Sequence, residues 1–385
     1  AGFGEAGFVQ FVLAFSVYLV LNMVGVLGIN NSVTKHVAEQ AENKEHVRGV
    51  LSAGLLLAAA ASLVVALAGW AAVPLVERVY STDVAAVFAV LLVGLPGWAV
   101  NKVLAGHLNG VRDMKGYAFA QAARFVLVVA AILVIRRYSG SLAHAAWAVP
   151  ATEALLLAVL VVRTQLWHWF RLSAAGPWFG RHLRFGVLSS LNDMLVELYF
   201  RVDILIAGYL VSERLCGLYA FAADVTKNLT AFSVLVQVNF NPIISRLWAV
   251  GDVPAMRTYI ARLRRTTYLM YVPITVAAAV GYPLFLLLWR SDMLVAEHLA
   301  AYYLLLAGVF VFSGYSALLG VLAYTGHVGL QLRRSLYTLA LNAVLSLTLI
   351  PLLGIMGAAL SVVASFLLAA GYTRQFINTR VSPRP

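Results

Sequence analysis

Apolar residues run through this chain in blocks too long for a strand and too continuous for the one-sided stripe of a soluble helix. The blocks read at approximately 7–30, 50–73, 84–106, 117–135, 143–162, 185–210, 217–243, 267–289, 298–324, 336–352 and 356–373. Crossing the hydrocarbon core of a bilayer takes roughly 20 largely apolar residues of helix. The pattern therefore predicts an all-α polytopic membrane protein with about eleven spans. Within the third block, Gly94-Leu95-Pro96-Gly97 predicts a bend, because proline removes a backbone hydrogen bond and glycine adds backbone freedom. Gly94, Pro96 and Gly97 are the candidate hinge, with a fixed kink as the equal alternative. Pro150, Pro273 and Pro283 carry weaker versions of the same signal. Gly251-Asp252-Val253-Pro254 marks a break between the seventh and eighth blocks.

Polar residues between the blocks are not evenly charged. The connections after the first, third, fifth, seventh, ninth and last blocks hold 19 Lys and Arg, and those on the other side hold 5. Basic loops stay on the cytoplasmic side, so the C-terminus is expected in the cytoplasm and residue 1 outside; the plasma (inner) membrane is the location implied by the family resemblance given below. Residues 163–184 mix Arg163, Arg171, Arg181 and Arg184 with Trp167, Trp169 and Trp178, which suits a segment lying among lipid headgroups. The segment 244–265, with Arg257, Arg262, Arg264 and Arg265, is similar.

Composition reinforces this. The chain is 62% hydrophobic and 11% charged, whereas soluble domains carry about 25% charged residues. A net charge of +12 could suggest nucleic acid, but the charge sits at membrane boundaries, so membrane lipids and not nucleic acid are the expected partners. A lone Cys216 excludes an internal disulfide framework. No GxxxxGK[ST] phosphate loop and no HExxH occur, so ATP hydrolysis, a resident metal, a cofactor and a catalytic residue are not expected. Asn228-Leu229-Thr230 matches a glycosylation sequon but falls inside a block.

The candidate chemistry lies inside the blocks. Of the 28 Lys and Arg residues, four fall there: Lys102, Arg124, Arg201 and Lys227. Five acids join them: Glu153, Asp193, Glu197, Asp203 and Asp224. An ionisable side chain near the bilayer centre costs on the order of 2.5–3.5 kcal/mol on insertion scales, so such groups face protein or a wet cavity. Asp193, Glu197 and Arg201 share one helical face by i, i+4, i+8 spacing, which allows a Glu197–Arg201 pair. Asp224 and Lys227, at i, i+3, can pair likewise, while Asp203 points elsewhere and is expected to engage another helix. Arg124 has no acidic neighbour along its own helix. Read functionally, the four bases bind an anionic, phosphate-bearing group, since the guanidinium fork matches phosphate and lysine acts as a point charge. The five acids balance charge or couple to an ion. Ion pairs that only fix helix register are the competing explanation for each residue.

The two halves repeat faintly, with an offset of about 210–216 residues, between 5–15 and 214–224 and again between the LAGHLNGVRDMKGY region and LGVLAYTGHVGLQL. Transporters are often built from repeated helical units. Five blocks precede the 163–184 segment and six follow it, so repeat arithmetic expects one further helix ahead of residue 1.

Three stretches resemble the polysaccharide or oligosaccharidyl-lipid flippases of the MOP exporter superfamily. They are GFGEAGFVQF at 2–11, RVDILIAGYLVSERLCGLYAFA at 201–222, and NAVLSLTLIPLLGIMGAALSVV at 342–363. The resemblance implies two six-helix lobes in a V, alternating access, and movement of a polyprenyl-diphosphate-linked oligosaccharide to the outer leaflet for cell-surface polysaccharide biosynthesis. It divides the chain into an N-terminal lobe at 1–162 (helices 2–6 of the family pattern), a linker at 163–184 and a C-terminal lobe at 185–385 (helices 7–12). Arg201 and Asp203 occupy the family's Arg-x-Asp position. The implied partners are the lipid-linked oligosaccharide and glycan assembly enzymes, with a proton or sodium gradient or the membrane potential as driving force. A cation-coupled multidrug antiporter of the same superfamily is the alternative. A membrane glycosyltransferase or polymerase is disfavoured because the external connections are short.

Overall fold

A computed structural model describes residues 4–138 and 142–381, so residues 2 and 3 of the 2–11 stretch lie outside it. It is helical throughout its described length. The helices are α1 (Gly4–Val26), α2 (Ile29–Glu39), α3 (Lys44–Ala71), α4 (Val73–Val79), α5 (Thr82–Val93), α6 (Leu95–Gly110), α7 (Met114–Tyr138), α8 (Leu142–Ala146), α9 (Ala148–Thr164) and α10 (Leu166–Trp169). They continue as α11 (Phe179–Leu210), α12 (Glu213–Asn228), α13 (Ala231–Val250), α14 (Val253–Trp289), α15 (Ala296–Ser316), α16 (Val321–Tyr324), α17 (Val328–Leu353) and α18 (Ile355–Phe376).

Eight helical segments among the described residues are long and apolar enough to cross a membrane, and α5 with α6 makes a ninth as one span bent by 43°. These nine coincide with nine of the predicted blocks. The other two, 185–210 and 217–243, are helical but built differently. The first is the charge-bearing part of α11, and the second is split at Leu229–Thr230 into α12 and α13. Apolar side chains on the outer faces fit a lipid solvent: Phe125 and Val126 of α7 are 74% and 67% exposed. In water such a surface would be an association site.

Local chemistry sets the boundaries. Ser81, Ser212 and Asp252 each accept a bond from the backbone N–H three residues on, starting α5, α12 and α14. Gly251 ends α13 at φ 75°, a conformation that favours glycine. Pro96 enters in the first turn of α6, where its missing N–H costs nothing. Pro273 and Pro283, by contrast, lie inside an unbroken α14, so their sequence signal does not end that helix.

The chain forms two compact units, Ala1–Glu197 and Leu198–Pro385. The division falls inside α11. The reason is packing on α3. The Arg171 N–H donates to Ser52 Oγ at 2.7 Å, Arg48 Nε donates to the His168 carbonyl at 3.1 Å, and Trp178 fills the space over Gly49 that a side chain would need. His182, fully buried, accepts at Nδ1 from the Ser32 hydroxyl (2.8 Å) and donates from Nε2 to the Val50 carbonyl (2.9 Å). Burial pushes its pKa down from 6.5 to about 4, so the ring is held neutral.

The first unit has a core of Val33, Val50, Leu51, Val103, Leu104 and Leu160 from α2, α3, α6 and α9. In the second, Tyr282 of α14 stacks on Tyr302 of α15 at 3.9 Å between ring centroids, beside Leu218, Leu286 and Leu306.

Candidate functional site

In the first unit, the bend between α5 and α6 brings the N-terminal turns of α6 against α9. A Cβ on Gly94 would lie 3.2 Å from the backbone of Pro150, and one on Gly97 would lie 3.3 Å from Cβ of Glu153. These glycines therefore work as close-contact residues. The approach places Asn101, one turn after Gly97, at the carboxylate of Glu153. Asn101 Nδ2 donates to the Glu153 carbonyl at 2.9 Å and to Oε2 at 2.8 Å. Arg124 of α7 completes the cluster in a two-point grip, Nε to Oε1 at 2.7 Å and Nη2 to Oε2 at 3.2 Å. The carboxylate is 2% exposed and the guanidinium 17%. Arg124 thus has an acidic partner after all, supplied by a helix 29 residues further along the chain.

Lys102 stands on the cavity side of this pair. Its ammonium lies over the Trp98 ring at 5.0 Å, and the Arg124 guanidinium approaches the same indole at 5.7 Å. Among the described residues Lys102 forms no ion pair, yet it is within electrostatic reach of Arg124, Asp193, Glu197 and Glu153. Lys102 thus couples electrostatically to the other four charges of this unit. Beside Lys102 is a small cavity of about 60 Å³ lined by Met23, Val26, Gly28, Asn30, Trp98, Lys102, Ser190 and Asp193. Asn31 Nδ2 donates to Asp193 Oδ2 at 3.2 Å. Behind the Arg124–Glu153 pair, Tyr18, Asn22, Asn101 and Thr152 are all at most 1% exposed. Each has a polar atom with no hydrogen-bond partner among the described residues.

The second unit holds the remaining four. Asp203, 0% exposed, accepts two bonds from Lys227 Nζ at 2.8 Å and one from the Tyr219 hydroxyl. Lys227 Nζ also donates to the Phe200 carbonyl at 2.8 Å. Asp203 does engage the next helix, but the expected Asp224–Lys227 pair does not form. Lys227 reaches back to α11, and Asp224 Oδ1 accepts from Arg201 Nη1 at 2.9 Å. Lys227 is 4% exposed, so its ammonium is saturated by Asp203 and a carbonyl. It sits just before the Leu229–Thr230 break, where the Leu229 carbonyl is taken by the Tyr271 hydroxyl at 2.8 Å.

Sequence reading missed Trp98, Asn101, Asn30 and Ser190. Trp98 carried a signal, since it precedes Lys102 by four residues on an otherwise apolar run. Asn101 offered only a lone amide inside a block. Among the described residues no group of three His, Cys, Asp or Glu could hold a metal.

A multi-pass helical bundle with buried charges grouped around a polar cavity has the build of a membrane transporter. Solved structures share this fold. An inward-facing multidrug resistance MATE family transporter of the MOP superfamily matches with TM-score 0.82 at 15% identity, over 99% of this chain and 92% of that one. A MOP superfamily transporter from Pyrococcus furiosus matches with TM-score 0.67 at 14% identity, over 98% and 88%. A eukaryotic MATE transporter matches with TM-score 0.72 at 14% identity, over 96% and 87%. Residues 3–248 match the model of the polysaccharide biosynthesis protein family, and the chain belongs to that family. No curated protein matches it.

Proposed function

We propose that the chain is a flippase that carries a polyprenyl-diphosphate-linked oligosaccharide from the cytoplasmic to the outer leaflet of the plasma membrane by alternating access, without covalent chemistry. The observation that carries this reading is Lys102, a cation without an ion-pair partner among the described residues that lines a cavity shared with Asn30, Ser190 and Trp98. A phosphate oxygen is the complement of that ammonium, and amide, hydroxyl and indole groups are the complement of a sugar. Arg124 is a second phosphate ligand in this scheme, released from Glu153 as substrate arrives. Lys227 and Arg201, each held by a carboxylate, serve the frame of the second unit rather than the first contact with substrate.

Asp193 and Glu197 are the coupling groups of this proposal, responding to a proton or sodium gradient, and Glu153 balances charge. A gradient can bias the cycle only if its ion binds one access state better than the other. The C-terminus is cytoplasmic in this reading, and glycan assembly enzymes are the partners that supply the substrate.

Leaflet-resolved translocation of a defined polyprenyl-diphosphate glycan in liposomes tests the scheme. Lys102→Gln should reduce the rate at least about tenfold, the effect of losing roughly 1.4 kcal/mol. Undiminished translocation would remove Lys102 from the mechanism. A multidrug antiporter would instead show proton- or sodium-dependent efflux of organic cations with glycan export intact after gene deletion.

A further inference from the structure

Outside that cavity, the buried cation Arg334 in the second unit lacks the kind of partner its counterparts have. Lys227 has Asp203, and in the first unit Arg124 has Glu153. Arg334, in the second turn of α17, is 5% exposed and donates from Nη1 to the Leu319 carbonyl at 2.8 Å. No carboxylate among the described residues pairs with it, and Tyr372 is the titratable side chain that bears on it electrostatically. A guanidinium does not discharge to relieve burial, because its delocalised charge keeps it protonated at any physiological pH. One bond to a neutral carbonyl returns less than removing the charge from water takes away. Gln331, three residues earlier on the same face, adds a buried amide oxygen without a partner. Turning that amide end for end would present its NH₂ instead.

The bond to Leu319 uses one nitrogen and leaves the Nε and Nη2 edge of the fork, which matches two oxygens of a phosphate group. The position suits such a ligand. Arg334 and the exposed Arg333 directly precede the apolar run 336–352, the depth at which phospholipid phosphates lie. We propose that Arg334 anchors an oxyanion site in the second unit, which takes one phosphate group, from either an anionic phospholipid headgroup or free inorganic phosphate. The site is separate from the Lys102 cavity and does not depend on what that cavity carries. Capping the turn at 317–320 through the Leu319 carbonyl is the rival role, and it requires no anion.

The test uses the full chain in neutral detergent. Native mass spectrometry and thermal unfolding are followed while phosphatidylglycerol, phosphatidylcholine or inorganic phosphate is added. Wild type should retain one phosphatidylglycerol in preference to phosphatidylcholine, and Arg334→Gln should weaken that binding at least tenfold. Arg334→Lys, which keeps the charge and loses the fork, should fall between. If inorganic phosphate displaces the lipid and stabilises equally, the site takes free phosphate; if it has no effect, the headgroup is the ligand. Equal retention of both lipids by wild type, with no response to phosphate, overturns the proposal even if Arg334→Gln fails to fold. Unchanged anion binding in Arg334→Lys and Arg334→Gln overturns it as well.

Discussion

The two units contain the same kinds of charged residue at membrane depth and use them in opposite ways. In the second unit, Asp203 is closed off by Lys227 and Tyr219, and Arg201 by Asp224. In the first, one pair is closed, Arg124 with Glu153, while Lys102 and Asp193 line a cavity. A charge inside a membrane protein is therefore not by itself a sign of a binding site. What separates the two cases is Lys102, which has no ion-pair partner among the described residues.

That contrast can be broken most directly through Lys227. Lys227→Ala leaves Asp203 buried and uncompensated, which should cost about 3–5 kcal/mol, seen as a large fall in the thermal midpoint. Adding Asp203→Asn should recover much of it. A small loss in the single variant would mean that the second unit's charges are as open as Lys102.

A smaller effect is expected from pH at the edge of the first unit. His182 is held neutral with its pKa near 4, below the ordinary 6.5. The unfolded chain takes up a proton that the folded chain refuses, so the stabilisation is complete above pH 6.5 and is lost as pH falls towards 4. The change is on the order of 2–3 kcal/mol by linkage. His182→Gln should flatten that part of the unfolding profile, and an unchanged slope would assign it to other groups.

Gly97→Ala should cost about 1–2 kcal/mol, because its Cβ would press on Glu153 in a packed contact. A loss of transport without loss of stability would instead favour the hinge reading. The smallest stability change, within about 1 kcal/mol, is expected for Lys102→Met, since no ion pair is broken. A fall as large as that of Lys227→Ala would erase the difference between the units.

Much of the fold was legible because a bilayer imposes one length scale and one polarity on every span. Nine blocks could be read from hydropathy alone. The stretch 185–243 was harder, since α11 carries its charges and the break at Leu229–Thr230 follows from tertiary bonds such as Tyr271 to the Leu229 carbonyl. The charged residues themselves were found by their cost in lipid, but their partners were not. Arg124 meets Glu153 and Lys227 meets Asp203 across helices, contacts that i, i+3 and i, i+4 spacing cannot register. For the same reason Asp224 was paired with Lys227 on its own helix, when Arg201 of the neighbouring helix is its partner. Trp178 is interfacial by residue type, whereas Gly49 of α3 packs against it, a contact that spacing along the chain does not register.

The indole of Trp98 is approached by two cations, Lys102 at 5.0 Å and Arg124 at 5.7 Å, and the first of them lines the cavity. Indole emission responds to nearby charge, so this ring is a built-in optical gauge of occupancy. In a variant retaining Trp98 as the sole tryptophan, an anion that draws Lys102 away should move the emission, with no dye attached and no need to know in advance which sugar the anion bears.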